Sequence, residues 1–170
     1  NKPENAVSLY NHNFIKDYRM SVLTNWIIKK ATQPKIPNSG SARMRPYDME
    51  LQERYPELDT NDGIYYLDNA FKKMNVDTGI KNVGTMQLGR LWAMYSKGQF
   101  NKQPAIKKQI EDVFSSVVAR VPMGAISGAQ VLKFRGFTER EGHGILLHSR
   151  TMKALEGADL DGDSAYFYMG

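Results

Sequence analysis

The chain of 170 residues has no cysteine. That excludes disulfides, thiolate metal sites and cysteine nucleophiles, and it fits a reducing compartment. No apolar run reaches the roughly 18 residues that a membrane helix needs. No segment has the charged, apolar and small-residue layout of a signal peptide. A large excess of one charge is also lacking: 23 Lys and Arg face 18 Asp and Glu, for a net charge of +5. Such an excess is compatible with a polyanionic partner but too small to demand one. No internal repeat and no low-complexity tract is evident. The chain starts at Asn1 rather than Met and stops at Gly170, and both ends read as those of a piece of something larger.

What is present is enough for a core, since hydrophobic residues make up 41% of the chain. Residues 8–31 read as a helix, with Phe14, Ile15, Tyr18, Val22, Leu23, Trp26 and Ile27 at helical spacing. Pro34, Pro37 and Gly40 mark a linker over 32–41. Residues 42–45 form a short strand candidate, 46–63 are rich in turn residues, and 64–67 read as a strand or the start of a helix running to Met74. Thr85 is placed to cap a helix carrying Leu88, Leu91, Trp92 and Tyr95, ended by Gly98. Pro104 opens a second helix with its stripe at Ile106, Ile110, Val113, Phe114 and Val117. The rest reads as strands at about 117–122, 130–137, 143–148 and 164–169, with two helical turns over 149–156. The expected class is therefore α+β.

The most informative segment is Ala158-Asp159-Leu160-Asp161-Gly162-Asp163. Three carboxylates at alternate positions repel one another unless a cation neutralises them. A glycine among them lets a tight loop aim them at one hard ion. A calcium loop of the helix–loop–helix type is one alternative. It requires glycine at the sixth position and glutamate at the twelfth, where this chain has Ser164 and Gly170, so the pattern fails twice. A solvated acidic turn is the other.

Residues 117–169 resemble one segment of the largest subunit of cellular RNA polymerases. That family has an Arg-x-Pro element, a strand, a Gly…Leu-His strand, a short helix, and then Asn-Ala-Asp-Phe-Asp-Gly-Asp before a last strand. The counterparts here, in the same order, are Arg120-Val121-Pro122, the strand around Val131, Gly144-Ile145-Leu146-Leu147-His148, the helix 149–156, and Gly157-Ala158-Asp159-Leu160-Asp161-Gly162-Asp163. Single-chain phage polymerases and RNA-silencing RNA polymerases share the Asp-x-Asp-Gly-Asp element. Asn38-Ser39-Gly40-Ser41-Ala42-Arg43-Met44-Arg45-Pro46 is weakly similar to the Ser-Gly-Arg strand that opens the same barrel. Two departures mark a distant member. Gly157 replaces the family asparagine that looks toward the nucleotide sugar, and Met123-Gly124-Ala125 replaces Thr-Leu-His.

The resemblance implies a double-psi β-barrel over 34–170 with a helical insertion at 65–116 and an N-terminal helical extension over 1–33. It implies that Asp159, Asp161 and Asp163 are catalytic and hold Mg2+, and that Arg120, Pro122 and Gly157 contact the nucleotide. The implied activity is nucleotidyl transfer to an RNA 3′ end. The partners are a nucleic acid template, the RNA product, nucleoside triphosphates and a second barrel carrying lysines, with no membrane. The implied location is the cytoplasm of a host cell, or a virion if the chain is phage-encoded. Rival readings are a non-catalytic module whose acidic loop binds calcium, an RNA-dependent RNA polymerase of the same barrel family, and an unrelated metal-dependent phosphoryl transferase. Read one by one, other residues have plainer roles: Arg120 in a salt bridge, His148 packed at a strand end, His143 in a turn, Trp26 and Trp92 in the core, and Lys102, Lys107 and Lys108 on the wet face of a helix.

Overall fold

A computed structural model describes residues 38–47, 49–56, 58, 62–120, 128–155 and 163–170. All of them belong to the unit Pro37–Gly170. The helix expected over 8–31, and with it the extension 1–33, lies outside the described residues. The elements in chain order are β1 (Ser39–Tyr47), α1 (Met49–Arg54), β2 (Ile64–Leu67), a 3₁₀ turn (Asn69–Lys73), β3 (Asn75–Asp77), β4 (Thr85–Gln87), α2 (Leu88–Ser96), α3 (Pro104–Phe114), β5 (Ser115–Arg120), β6 (Ala129–Phe137), β7 (Gly144–His148), α4 (Ser149–Ala154) and β8 (Ser164–Met169). The protein is mixed α and β, and six strands close into a barrel in the order β1-β7-β2-β6-β5-β8. β1 runs parallel to β7 and β2 parallel to β6, and the other neighbours are antiparallel.

The strand pattern explains the closure. On β6, Leu132 and Phe134 point inward at 2% and 1% exposure, while Val131 stands out at 69%. That is the period-2 alternation expected of a strand with one wet face. Inward residues from the other strands, among them Met44, Tyr65, Leu67, Ile145, Leu147 and Phe167, fill the lumen. Each such side chain contributes about 1.5–3 kcal/mol through burial. α2 and α3 cover one end through Trp92, whose ring lies 5.1 Å from Phe134 and 5.2 Å from Phe114. Trp92 is thus a core-packing residue. Thr85, by contrast, is no helix cap. It belongs to the β3–β4 hairpin, and Gln87 stands at the N-cap without a side-chain bond. The stretch 65–116 holds this hairpin and most of β2 as well as its helices.

The barrel repeats itself. Exchanging β1, β2 and β5 with β6, β7 and β8 returns the same ring of neighbours. The registers obey the exchange residue by residue. Arg43 opposite Gly144 becomes Lys133 opposite Ile64, and Gly40 opposite Phe167 becomes Gln130 opposite Val118. Ser116 opposite Met169 becomes Ala165 opposite Arg120. The exchange fails at one place, a bulge where Leu67 pairs with Phe137 instead of Gly136. Gly136 has φ +133° there, and Trp92 Nε1 lies 3.2 Å from where a Cβ would stand, so only glycine fits.

Candidate functional site

β5 ends at Arg120, and β8 begins immediately after Asp163. Their antiparallel pairing sets Arg120 opposite Ala165, two positions from Asp163. The guanidinium closes that gap, with Arg120 Nη2 3.0 Å from Asp163 Oδ2. Both side chains are partly exposed, so the pair adds only about 0–1 kcal/mol to stability. Its effect is positional. It turns the Asp163 carboxylate toward the end of β5 and relieves part of the repulsion built into the acidic run. The backbone is pinned too: Met44 N–H on β1 donates to the Asp163 carbonyl at 2.7 Å.

Of the residues singled out in the sequence, the fold brings Arg120 and Asp163 together. Pro122, Gly157, Asp159 and Asp161 lie outside the described residues. Among the described residues no group of three or more His, Asp or Glu is placed to hold a metal ion. His148, at the end of β7, has two partners for one nitrogen. Its Nδ1 lies 2.7 Å from Asp62 Oδ1 and 3.2 Å from the Arg150 N–H. A protonated Nδ1 donates to Asp62, whereas a bare one accepts from Arg150 and caps α4. His143 sits in the β6–β7 turn, edge-on to Phe71 at 5.7 Å.

Sequence reasoning missed a buried, well-connected polar residue. Asp68, just past β2, is 4% exposed. Its Oδ1 accepts from Arg45 Nη2 and from Thr138 Oγ1, the latter at 2.7 Å, and its Oδ2 accepts from the Gly144 N–H at 2.7 Å. Three donors satisfy one buried carboxylate, which is what its burial requires. Gly144 makes the packing possible: a Cβ there would lie 2.6 Å from Asp68 Oδ2 and 2.7 Å from Arg45 Nε. Arg45 and Asp68 line an open pocket of about 510 Å³ together with Arg43, Arg140, Glu141 and His143. Burial lowers the Arg45 pKa, Asp68 opposes that, and the nearby Arg140 charge adds to it. The only sequence signal was the pair Arg43 and Arg45 on one strand face.

No protein-family model matches the chain, and no curated protein matches it. Among the described residues no helix is long and apolar enough to cross a membrane.

Proposed function

We propose that this chain is the catalytic-barrel segment of a divergent DNA-directed RNA polymerase and supports magnesium-dependent nucleotidyl transfer to an RNA 3′ end. The observation that carries the reading is the Arg120–Asp163 contact at 3.0 Å, because it joins the two motif elements that the resemblance requires in one site. The exchange symmetry of the strands supports the finer reading of the barrel as double-psi, a fold of two interlocked halves.

Asp163 suits magnesium on donor chemistry. Its carboxylate is 30% exposed at the barrel edge, and magnesium takes oxygen ligands in a near-octahedral set. In this reading Asp159, Asp161 and Asp163 hold the ion. When bound, magnesium supplies charge stabilisation to an in-line phosphoryl displacement. Arg120 has two tasks in this reading: it orients Asp163 from one side, and its planar guanidinium suits the phosphate or sugar oxygens of an incoming nucleotide. The Met44 N–H keeps the Asp163 backbone from recoiling when the carboxylate exchanges partners. Phosphoryl transfer gains most from such fixed positioning. Lysines facing the triphosphate come from a second barrel, so the 170-residue chain alone is inactive. This reading sets the enzyme in the cytoplasm of a host cell or in a phage particle.

The test is single-nucleotide incorporation by the complete assembly with Asp159→Ala, Asp161→Ala and Asp163→Ala. Each is expected to lose at least about 10²–10³-fold. Double variants should be scarcely worse than single ones, because the three act as a unit. Near-normal incorporation by Asp161→Ala would overturn the reading. So would a loop that binds calcium with seven or so oxygen ligands and ignores magnesium, which would favour the non-catalytic module.

A further inference from the structure

We infer that the pocket between Arg43, Arg45 and Arg140 binds a phosphate group. The argument begins with the strand. Arg43 and Arg45 are two positions apart on β1 and so share its outer face, about 6–7 Å apart along the chain. Arg140 comes from the β6–β7 turn on the other side of the same pocket. Guanidinium groups from two directions suit a tetrahedral oxyanion with several acceptor oxygens, since each can present a fork.

The pocket is also electrostatically unfinished. Arg45 is held in place by Asp68, yet its Nη1 is buried without an acceptor. A buried donor left this way costs about 1–3 kcal/mol. Arg140 adds a second cation near enough to disfavour the charged form of Arg45. A bound anion is one group that satisfies such a donor. Asp68 balances the charge of Arg45, but its oxygens are engaged by Arg45 Nη2, Thr138 and the Gly144 N–H and leave the Arg45 Nη1 donor unmet. The three arginines of the lining face two carboxylates, Asp68 and Glu141, a formal balance of one positive charge. The volume of about 510 Å³ and the open mouth admit a phosphate esterified on both sides as readily as a free one. The site uses neither Arg120 nor Asp163, so its failure and that of the polymerase reading are separable.

The test is a titration of the full 15N-labelled chain, following the arginine Nε–Hε resonances, with three probes: inorganic phosphate, acetate and a short oligouridylate. Saturable shifts at Arg45 and Arg140 with phosphate are expected, with a much weaker response to acetate. Arg140→Gln, in a surface turn, should weaken phosphate binding by about tenfold or more, and Arg43→Gln should do likewise. Lys108→Gln, on the exposed face of α3, should leave it unchanged. Tighter, Arg140-dependent binding of oligouridylate would identify the source as a nucleic acid backbone. Arg140-dependent binding of inorganic phosphate that oligouridylate does not displace would identify a free phosphate ligand. No saturation, equal response to acetate, or equal weakening by Lys108→Gln would overturn the proposal.

Discussion

The two halves of the barrel share a register and almost nothing else. β1, β2 and β5 are joined through a long insertion that holds a hairpin and two helices, whereas β7 and β8 are joined by α4 and the acidic run alone. At positions related by the exchange, Asp68 stands against His148 and Phe114 against Asp163. One member of each pair is buried and the other is partly exposed. The comparison teaches that the strands supply the scaffold and that the connections after β2 and β7 diverge into core packing on one side and polar chemistry on the other.

The halves depend on each other completely. Every pairing in the ring joins a strand of one half to a strand of the other, and none falls within a half. The largest effect should therefore come from separating them. A cut between Gly124 and Ala125 should leave the first fragment, which carries Tyr65 and Trp92, without their packed near-ultraviolet signal. Mixing the fragments should restore it. A native signal from the first fragment alone would refute the interlocked account.

The next effect tests the Asp68–His148 pair. Asp68→Ala strands the partly buried Arg45 and should cost about 3–5 kcal/mol by denaturant titration. His148→Ala should cost about 1 kcal/mol, the loss of a cap. Equal costs would mean that the halves are equivalent in energy as well as in register. Smaller again is the pair Gly40 and Gln130. Gly40 faces Phe167, whose ring fills the space of a Cβ, while Gln130 faces the smaller Val118. Gly40→Ala should cost about 1–3 kcal/mol by overpacking, and Gln130→Ala should be close to neutral.

The smallest effect appears in alkali. Tyr65 is fully buried, hydrogen-bonded to Ser116 Oγ at 2.5 Å, and its counterpart is Ile145. Burial pushes the phenol pKa up, and the Ser116 bond partly opposes this. The folded value lies above the unfolded one, so the contribution is complete below about pH 10 and is lost as pH rises beyond it. Denaturant midpoints should fall above about pH 10, and Tyr65→Phe should reduce that slope. An unchanged slope would assign the alkaline loss to another group, such as Tyr95, whose pKa is also raised by burial and by Glu111.

These contrasts also account for what could be read in advance. β8 was read at its observed bounds, and β6 and β7 within a residue, because short apolar and aromatic runs bounded by glycines define them. β1 extends beyond the expected 42–45 because Gly40 and Pro46 read as breakers, yet both sit inside the strand. β3 and β4, with three residues each, carry no period to detect. The repeat was invisible because it is one of class rather than identity. Arg43-Met44-Arg45-Pro46-Tyr47 corresponds to Lys133-Phe134-Arg135-Gly136-Phe137, and only the central arginine is the same residue. Within the candidate site, the acidic run announced itself by its spacing. Asp68 did not, since its partners lie 23, 70 and 76 positions away.

The strand order sets a schedule for synthesis. β1 has β7 and β8 as its only neighbours in the ring, and about a hundred residues separate it from β7. At translation rates of about 5–20 residues per second, its edges wait roughly 5–20 s for partners. During that interval the nascent chain carries a nine-residue strand with both ladders open. Arg43 and Arg45, alternating along it, keep one face charged while it waits. The same arginines that line the finished pocket thus guard the unfinished chain against pairing with a neighbour on the same message.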